Sequence, residues 1–166
     1  MRKRIAIPVM LAALAALAPT SSLQGVNTSM LKGYLDKMGL KYVPHPKNAE
    51  TLVVPRSENR YAERLDLYVE LNKDQMLVLT AYAKSKGRYF NLSRVSEREK
   101  LFQRLLETNH RAFATFFVDD QGDIGARFTF TTENSIGFES FRSAVIELLR
   151  IVDEYTPILE EYMQKQ

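Results

Sequence analysis

LDLYVELNKDQMLVLTAYA, from Leu65 to Ala83, holds two apolar runs of different periodicity around one turn. In the first, Leu65, Leu67, Val69 and Leu71 alternate with Asp66, Tyr68 and Glu70, which is the period-two pattern of a strand with one buried and one wet face. Asn72, Lys73 and Asp74 supply the turn. The second run, Gln75 to Ala83, is apolar on both faces and reads as a central strand covered on both sides.

Working outward, the chain reads helix, strands, helix, strands, helix. Upstream, Asn27 and Thr28 can cap a helix whose apolar positions Met30, Leu31, Tyr34, Leu35 and Met38 keep a 3.6 repeat. Gly39 closes that helix as a left-handed cap, with Leu40 packing back on its last turn. Pro44 and Pro46 break the next segment, which predicts an irregular connection and then a strand from Thr51 to Pro55, near an edge because of its prolines. Downstream of the central pair, a second helix opens with a capping box of Ser96 and Glu99, carries Leu101, Phe102, Leu105 and Leu106 on one side and ends at Asn109. Strands follow at Phe113 to Val118 and Ile124 to Thr131. A last helix places Phe138, Phe141, Val145, Leu148, Val152 and Tyr155 on one stripe and stops near Pro157, leaving a loose extra turn. The expectation is a single α+β domain over residues 26–166: a twisted antiparallel sheet of about five strands with three helices, in the order α-β-β-β-α-β-β-α.

The start of the chain reads differently. Arg2, Lys3 and Arg4 precede an uncharged apolar run from Ile5 to Ala18 and then small polar residues, the layout of a secretory signal peptide. As a helix the run is ~21 Å long at about 1.5 Å per residue, short of a hydrocarbon core of roughly 30 Å. Residues 1–25 are therefore expected to be a cleaved leader, cut between about 18 and 25, and the protein to be periplasmic or secreted with no lasting membrane anchor. The absence of cysteine excludes a lipobox, disulfides and thiolate chemistry. Removing the three leader charges takes 23 basic and 20 acidic residues to 20 of each, so the pI of about 9.1 belongs largely to the leader. A formally neutral remainder argues against nucleic acid as the partner.

FFVDDQGDIGARFTF, Phe116 to Phe130, is the densest group of chemically capable residues. An EF-hand loop needs oxygen ligands at alternate positions, glycine at the sixth and glutamate at the twelfth. Counted from Asp119 or Asp120, this segment supplies no such set. A hairpin explains it instead: Asp119, Asp120 and Gln121 suit a tight turn, and Gly122 accepts positive φ. A general acid/base pair between His110 and Asp119, Asp120 or Asp123 is prevented by ~25 Å of intervening strand at about 3.3 Å per residue. His45 stands alone between prolines. With no GxSxG, HExxH, P-loop or GxGxxG, no catalytic residue, metal site or cofactor is assigned.

KSKGRYFNLSR, Lys84 to Arg94, interleaves basic residues with two rings and has two readings. Lys84, Lys86, Arg88, Tyr89 and Phe90 are the candidate partner-binding residues, the rings as anchors and the cations as a rim for an acidic partner. The segment is otherwise a solvated connection whose rings tuck under the domain. In that case the binding face is sought on the exposed side of the sheet, around Tyr68 and Arg127.

LLETNH (105–110), the hairpin FATFFVDDQGDIGARFTF and the closing SFRSAVIELLRIVDEYTPIL together resemble the YbjN-like family, a family of bacterial sensory transduction regulators with the type III secretion chaperone-like fold. The resemblance runs from about Met30 to Leu159. It implies helices packed on a twisted antiparallel sheet, no catalytic residues, and binding or regulation as the role. Secretion chaperones of this fold act as cytoplasmic dimers that hold a client segment, so a protein or peptide partner and a homodimer are both implied. The export signal departs from that setting. The leading expectation is an exported, non-enzymatic protein-binding module; the alternatives are an envelope enzyme of unrecognised mechanism or a carrier of a small apolar ligand.

Overall fold

The computed structural model describes residues 25–163 apart from 75, 110–112 and 132–135. The leader proper and His110 lie outside the described residues. The elements are α1 (Thr28–Lys37), β1 (Val43–His45), β2 (Asn48–Arg56), β3 (Arg64–Leu71), β4 (Met76–Ser85), β5 (Arg88–Tyr89), α2 (Arg98–Asn109), β6 (Thr115–Val118), β7 (Ile124–Thr131) and α3 (Phe138–Tyr162). All strand pairs are antiparallel in the order β1-β2-β3-β4-β7-β6, with β5 added to β4. The α+β class, the antiparallel sheet and the three helices are as expected.

Among the described residues seven strands form rather than about five, because two segments whose sequence predicts connections each pair as a short strand. β1 pairs with β2 through Val43 opposite Val53 and Pro44 opposite Leu52, so the first irregular segment closes a hairpin and β2 begins at Asn48. β5 exists because Lys86 and Gly87 take φ of 51° and 73°, positive at both central positions of a two-residue loop, which matches the twist of a hairpin.

Register explains which face is covered. Leu65, Leu67 and Val69 of β3 lie opposite Ala83, Ala81 and Leu79 of β4, and Ala81 lies opposite Ala126 of β7, itself opposite Phe116 of β6. This layer is buried against Phe141, Val145, Leu148, Val152 and Leu159 of α3, with α1 and α2 packed beside α3. β4 is central, but among the described residues helices cover only one of its faces. Val78, Thr80 and Tyr82 stand on the other with Asp66, Tyr68 and Glu70 of β3.

Helix ends show where local chemistry decided and where packing did. Asn27 Oδ1 accepts from Met30 N at 2.9 Å, and Gly39, at φ 69°, lets Gly39 N and Leu40 N bond back to Asp36 and Leu35 carbonyls, as the glycine predicted. The Ser96 capping box does not form: Ser96 N and Oγ both donate to the Tyr162 carbonyl, and α2 opens at Arg98 with the Glu97 carbonyl accepting from Leu101. Leu101 and Leu105 are buried, whereas Phe102 and Leu106 are exposed, so the apolar stripe is narrower than it reads. α3 runs through Pro157 to Tyr162. The proline forfeits one helical hydrogen bond, but burial of Leu159 and the bonds from Ser96 to Tyr162 and from Ser85 Oγ to Glu160 hold the last turn in place.

Candidate functional site

The structure separates the five candidate partner-binding residues. Phe90 is 2% exposed and belongs to the core, with its carbonyl accepting from Ile124 N at 2.8 Å, so it cannot anchor a partner. Lys86 sits in the β4–β5 turn and is exposed. Arg88, opposite Ser85, is exposed on the side toward α3. Lys84 and Tyr89 lie opposite each other and share the open sheet face with Asp66. Alternation explains the split, because neighbouring residues of one strand face opposite ways. Of the two rings, one is core and one is on the open face.

That face carries a connected set of side chains. Asp66, 2% exposed, accepts from Tyr89 Oη at 2.5 Å, from Arg64 Nε at 2.7 Å and from Lys84 Nζ at 2.9 Å. Burial works to raise the Asp66 carboxyl, but the bonds from Tyr89, Lys84 and Arg64 outweigh it and hold the group below its ordinary range. The Tyr89 phenol is raised, first by burial and then by its bond to Asp66, and Tyr68 Oη lies 3.0 Å away. Tyr82 is raised in the same way, by burial and by donating to Asp119 Oδ2 at 3.0 Å.

Rings continue across the strands. His45 contacts Tyr68 at 5.9 Å between centroids, Tyr68 contacts Tyr82 at 5.7 Å, and Tyr82 contacts Tyr89 at 5.3 Å and Phe117 at 5.9 Å. The Arg127 guanidinium stands 4.3 Å from the Phe117 centroid, and Lys84 stands 4.4 Å from that of Tyr89. Gly125 makes room for Tyr82, since a Cβ there would meet the ring at 2.8 Å. Sequence reading placed Tyr68 and Arg127 on this face but missed the buried Asp66 and the run through Tyr82 to Phe117. Its signal was the alternation in β3, which puts Asp66 and Tyr68 on the same side.

The acidic segment is a hairpin turn. Gly122 takes φ 82°, Asp119 N donates to the Asp123 carbonyl at 3.0 Å, and Asp119 Oδ1 accepts from Gln121 N and Asp123 N. Asp123 Oδ1 accepts from Asn91 Nδ2 at 2.8 Å, tying the turn to the segment after β5. Among the described residues, no group of three or more His, Cys, Asp or Glu is placed to hold a metal ion. On the helix side, a groove of about 380 Å³ lies between α2 and α3, with Phe113, 86% exposed, among its lining residues.

No family model matches the sequence, and no curated protein matches it. The fold does have counterparts among solved structures. YbjN, a proposed transcription regulator from E. coli, superposes with a TM-score of 0.58 at 15% identity, over 84% of this chain and 97% of that one. A chain of the ExsC–ExsE complex superposes with a TM-score of 0.57 at 16% identity, over 80% of this chain and 92% of that one. At these identities the likeness is one of fold, and the fold is the YbjN-like, type III secretion chaperone-like one that the sequence predicted.

Proposed function

We propose that this protein is an exported, non-enzymatic protein-binding or regulatory module of the bacterial cell envelope, working in the periplasm or outside the cell. The observation that carries this reading is the shared fold with a chain of the two-protein ExsC–ExsE complex, extending over 80% of this chain. The likeness to YbjN, a proposed regulator, agrees with binding rather than catalysis. Export rests on the basic, apolar, small-residue layout of residues 1–25. Burial of Val26, 2% exposed, supports a cut upstream of it, because processing beyond Val26 removes a core side chain.

The test is to express the whole chain in a bacterial host, fractionate the envelope, sequence the N-terminus and crosslink in place. The expected result is a soluble periplasmic form starting between Pro19 and Val26 that crosslinks to a discrete protein. Retention of Met1 in the membrane fraction overturns export. Absence of any crosslinked protein overturns the binding role.

A further inference from the structure

The open sheet face has rings and unspent donors but few unspent acceptors. Around the rings, Asp66 is bonded by Arg64, Lys84 and Tyr89, Asp119 by Tyr82 and two backbone N–H groups, Asp123 by Asn91, and Glu63 by Gly87 N. Glu70, two residues beyond Tyr68 on the same face, is the exception, with no ion pair among the described residues. The cations are in the reverse condition. Arg127 is exposed and has no ion pair among the described residues, and its guanidinium stands over the face of Phe117. Arg64 spends only Nε on Asp66 and keeps a side chain 46% exposed. A guanidinium with free N–H groups is shaped to take a carboxylate with two parallel bonds.

We infer that this face is a docking platform for an extended, carboxylate-bearing segment of a partner protein, its apolar or aromatic side chains on the ring band and its acids on Arg127 and Arg64. The inference rests on the protein-binding reading above and names the partner's chemistry. The ring band crosses the sheet from β1 to β6, five strand spacings or ~24 Å at about 4.8 Å each, which matches about seven residues of extended chain at roughly 3.3 Å per residue. Single-stranded nucleic acid also offers anions and flat stacking surfaces. The balance of 20 basic and 20 acidic residues once the leader charges are removed lacks the surplus that phosphate binding uses, and this favours the peptide.

The test uses the mature protein and a fluorescein-labelled peptide of alternating Glu and Phe, beside the same peptide with Lys for Glu and a deoxythymidine decamer. The Glu peptide is expected to bind best. Arg127→Glu, and Thr129→Glu on the same exposed face, are each expected to weaken it about tenfold with melting temperature unchanged, while Leu106→Glu on α2 leaves it alone. Equal or tighter binding of the Lys peptide or the decamer overturns the proposal, as does indifference to both Glu substitutions. Photocrosslinking in the envelope from position 129 or 106 separates the two readings. A protein crosslinked from 129 and lost with Arg127→Glu supports the platform. A protein crosslinked from 106 alone overturns the platform but leaves the protein-binding role standing, and none from either overturns both.

Discussion

The Tyr89 hydroxyl donates to Asp66 Oδ2 at 2.5 Å, and Lys84 caps the same oxygen from 2.9 Å while its ammonium lies over the Tyr89 ring. A tyrosine from a two-residue strand is thereby locked to a buried carboxylate of β3. Asp66→Asn keeps an acceptor but removes the charge facing two cations. Its expected cost is about 2 kcal/mol, below the figure for a fully buried pair because Arg64 and Lys84 keep contact with water. Chemical denaturation of Asp66→Asn beside Tyr89→Phe checks it: the first is expected to cost more, and equal stability of Asp66→Asn and the parent protein contradicts the argument.

Asp153 makes the second costly link. Its Oδ1 accepts from Tyr61 N and Ala62 N, and its Oδ2 from Arg60 N, all within 2.9 Å, so one carboxylate on α3 holds the turn into β3. Burial favours the neutral acid, but the bonds from Ala62, Arg60 and Tyr61 prevail and lower the group. Asp66 is lowered as well. For both, the folded pKa lies beneath the unfolded value of about 3.9, so their stabilisation is full above that value and is lost as pH falls through the folded one. Asp153→Asn is expected to cost about 1–2 kcal/mol at neutral pH, to flatten the loss of stability below about pH 4, and to speed hydrogen exchange at residues 60–62. An acid limb as steep as the parent's contradicts it.

These two acids also show what could be read in advance. Alternation over Leu65 to Leu71 assigned the buried face of β3 residue by residue, and Asn27, Gly39 and Gly122 marked their caps and turn because each solves a local backbone problem. Asp66 looked like an ordinary wet-face residue, since two of its three partners come from 18 and 23 positions away in the chain at Lys84 and Tyr89. β5 was hidden because Lys86, not glycine, takes one of the two positive φ values of its turn. Ser96 and Pro157 carried strong local signals that tertiary contacts at Tyr162 and Leu159 overrode. The ring band is a property of register across several strands, which no single segment displays.

Pro157 gives the third prediction. Pro157→Ala restores an N–H to the Asp153 carbonyl inside α3 and relieves the clash of the ring with that turn. Some of the gain is offset by the freer unfolded chain, leaving an expected increase of about 1–2 kcal/mol. Leu159→Ala, two residues on and 1% exposed, is expected to cost about 2–4 kcal/mol. If both leave the melting temperature where it was, the last turn of α3 is not part of the cooperative unit.

Gly125 and Tyr82 face each other across β7 and β4, with room for no Cβ between them. Gly125→Ala is expected to cost about 1–3 kcal/mol by displacing the ring. In a Tyr82→Leu background the same change is expected to cost at least 1 kcal/mol less, the signature of a direct pair in a double-mutant cycle. Full additivity places the strain in the backbone instead.

The outer edge of β6 carries the last prediction. Asp119 N bonds to the Asp123 carbonyl, so the alternation of the ladder turns the peptide groups of Phe116, opposite Ala126, away from β7. Asn109, the last residue of α2, meets them there: its Oδ1 accepts from Phe116 N at 2.6 Å and its Nδ2 donates to the Phe116 carbonyl at 3.1 Å. One side-chain amide thus imitates the next strand over one residue and leaves an incoming chain little to pair with at that point. Asn109→Ala frees a donor and an acceptor together at an edge only four residues long. The expected outcome is a loss of about 1–2 kcal/mol and a concentration-dependent rise in light scattering. Asn109→Asp keeps the acceptor, loses the donor and adds a charge at the edge, so it is expected to be destabilised without self-associating. Scattering from the alanine variant that does not change with concentration contradicts the role of Asn109 as an edge guard.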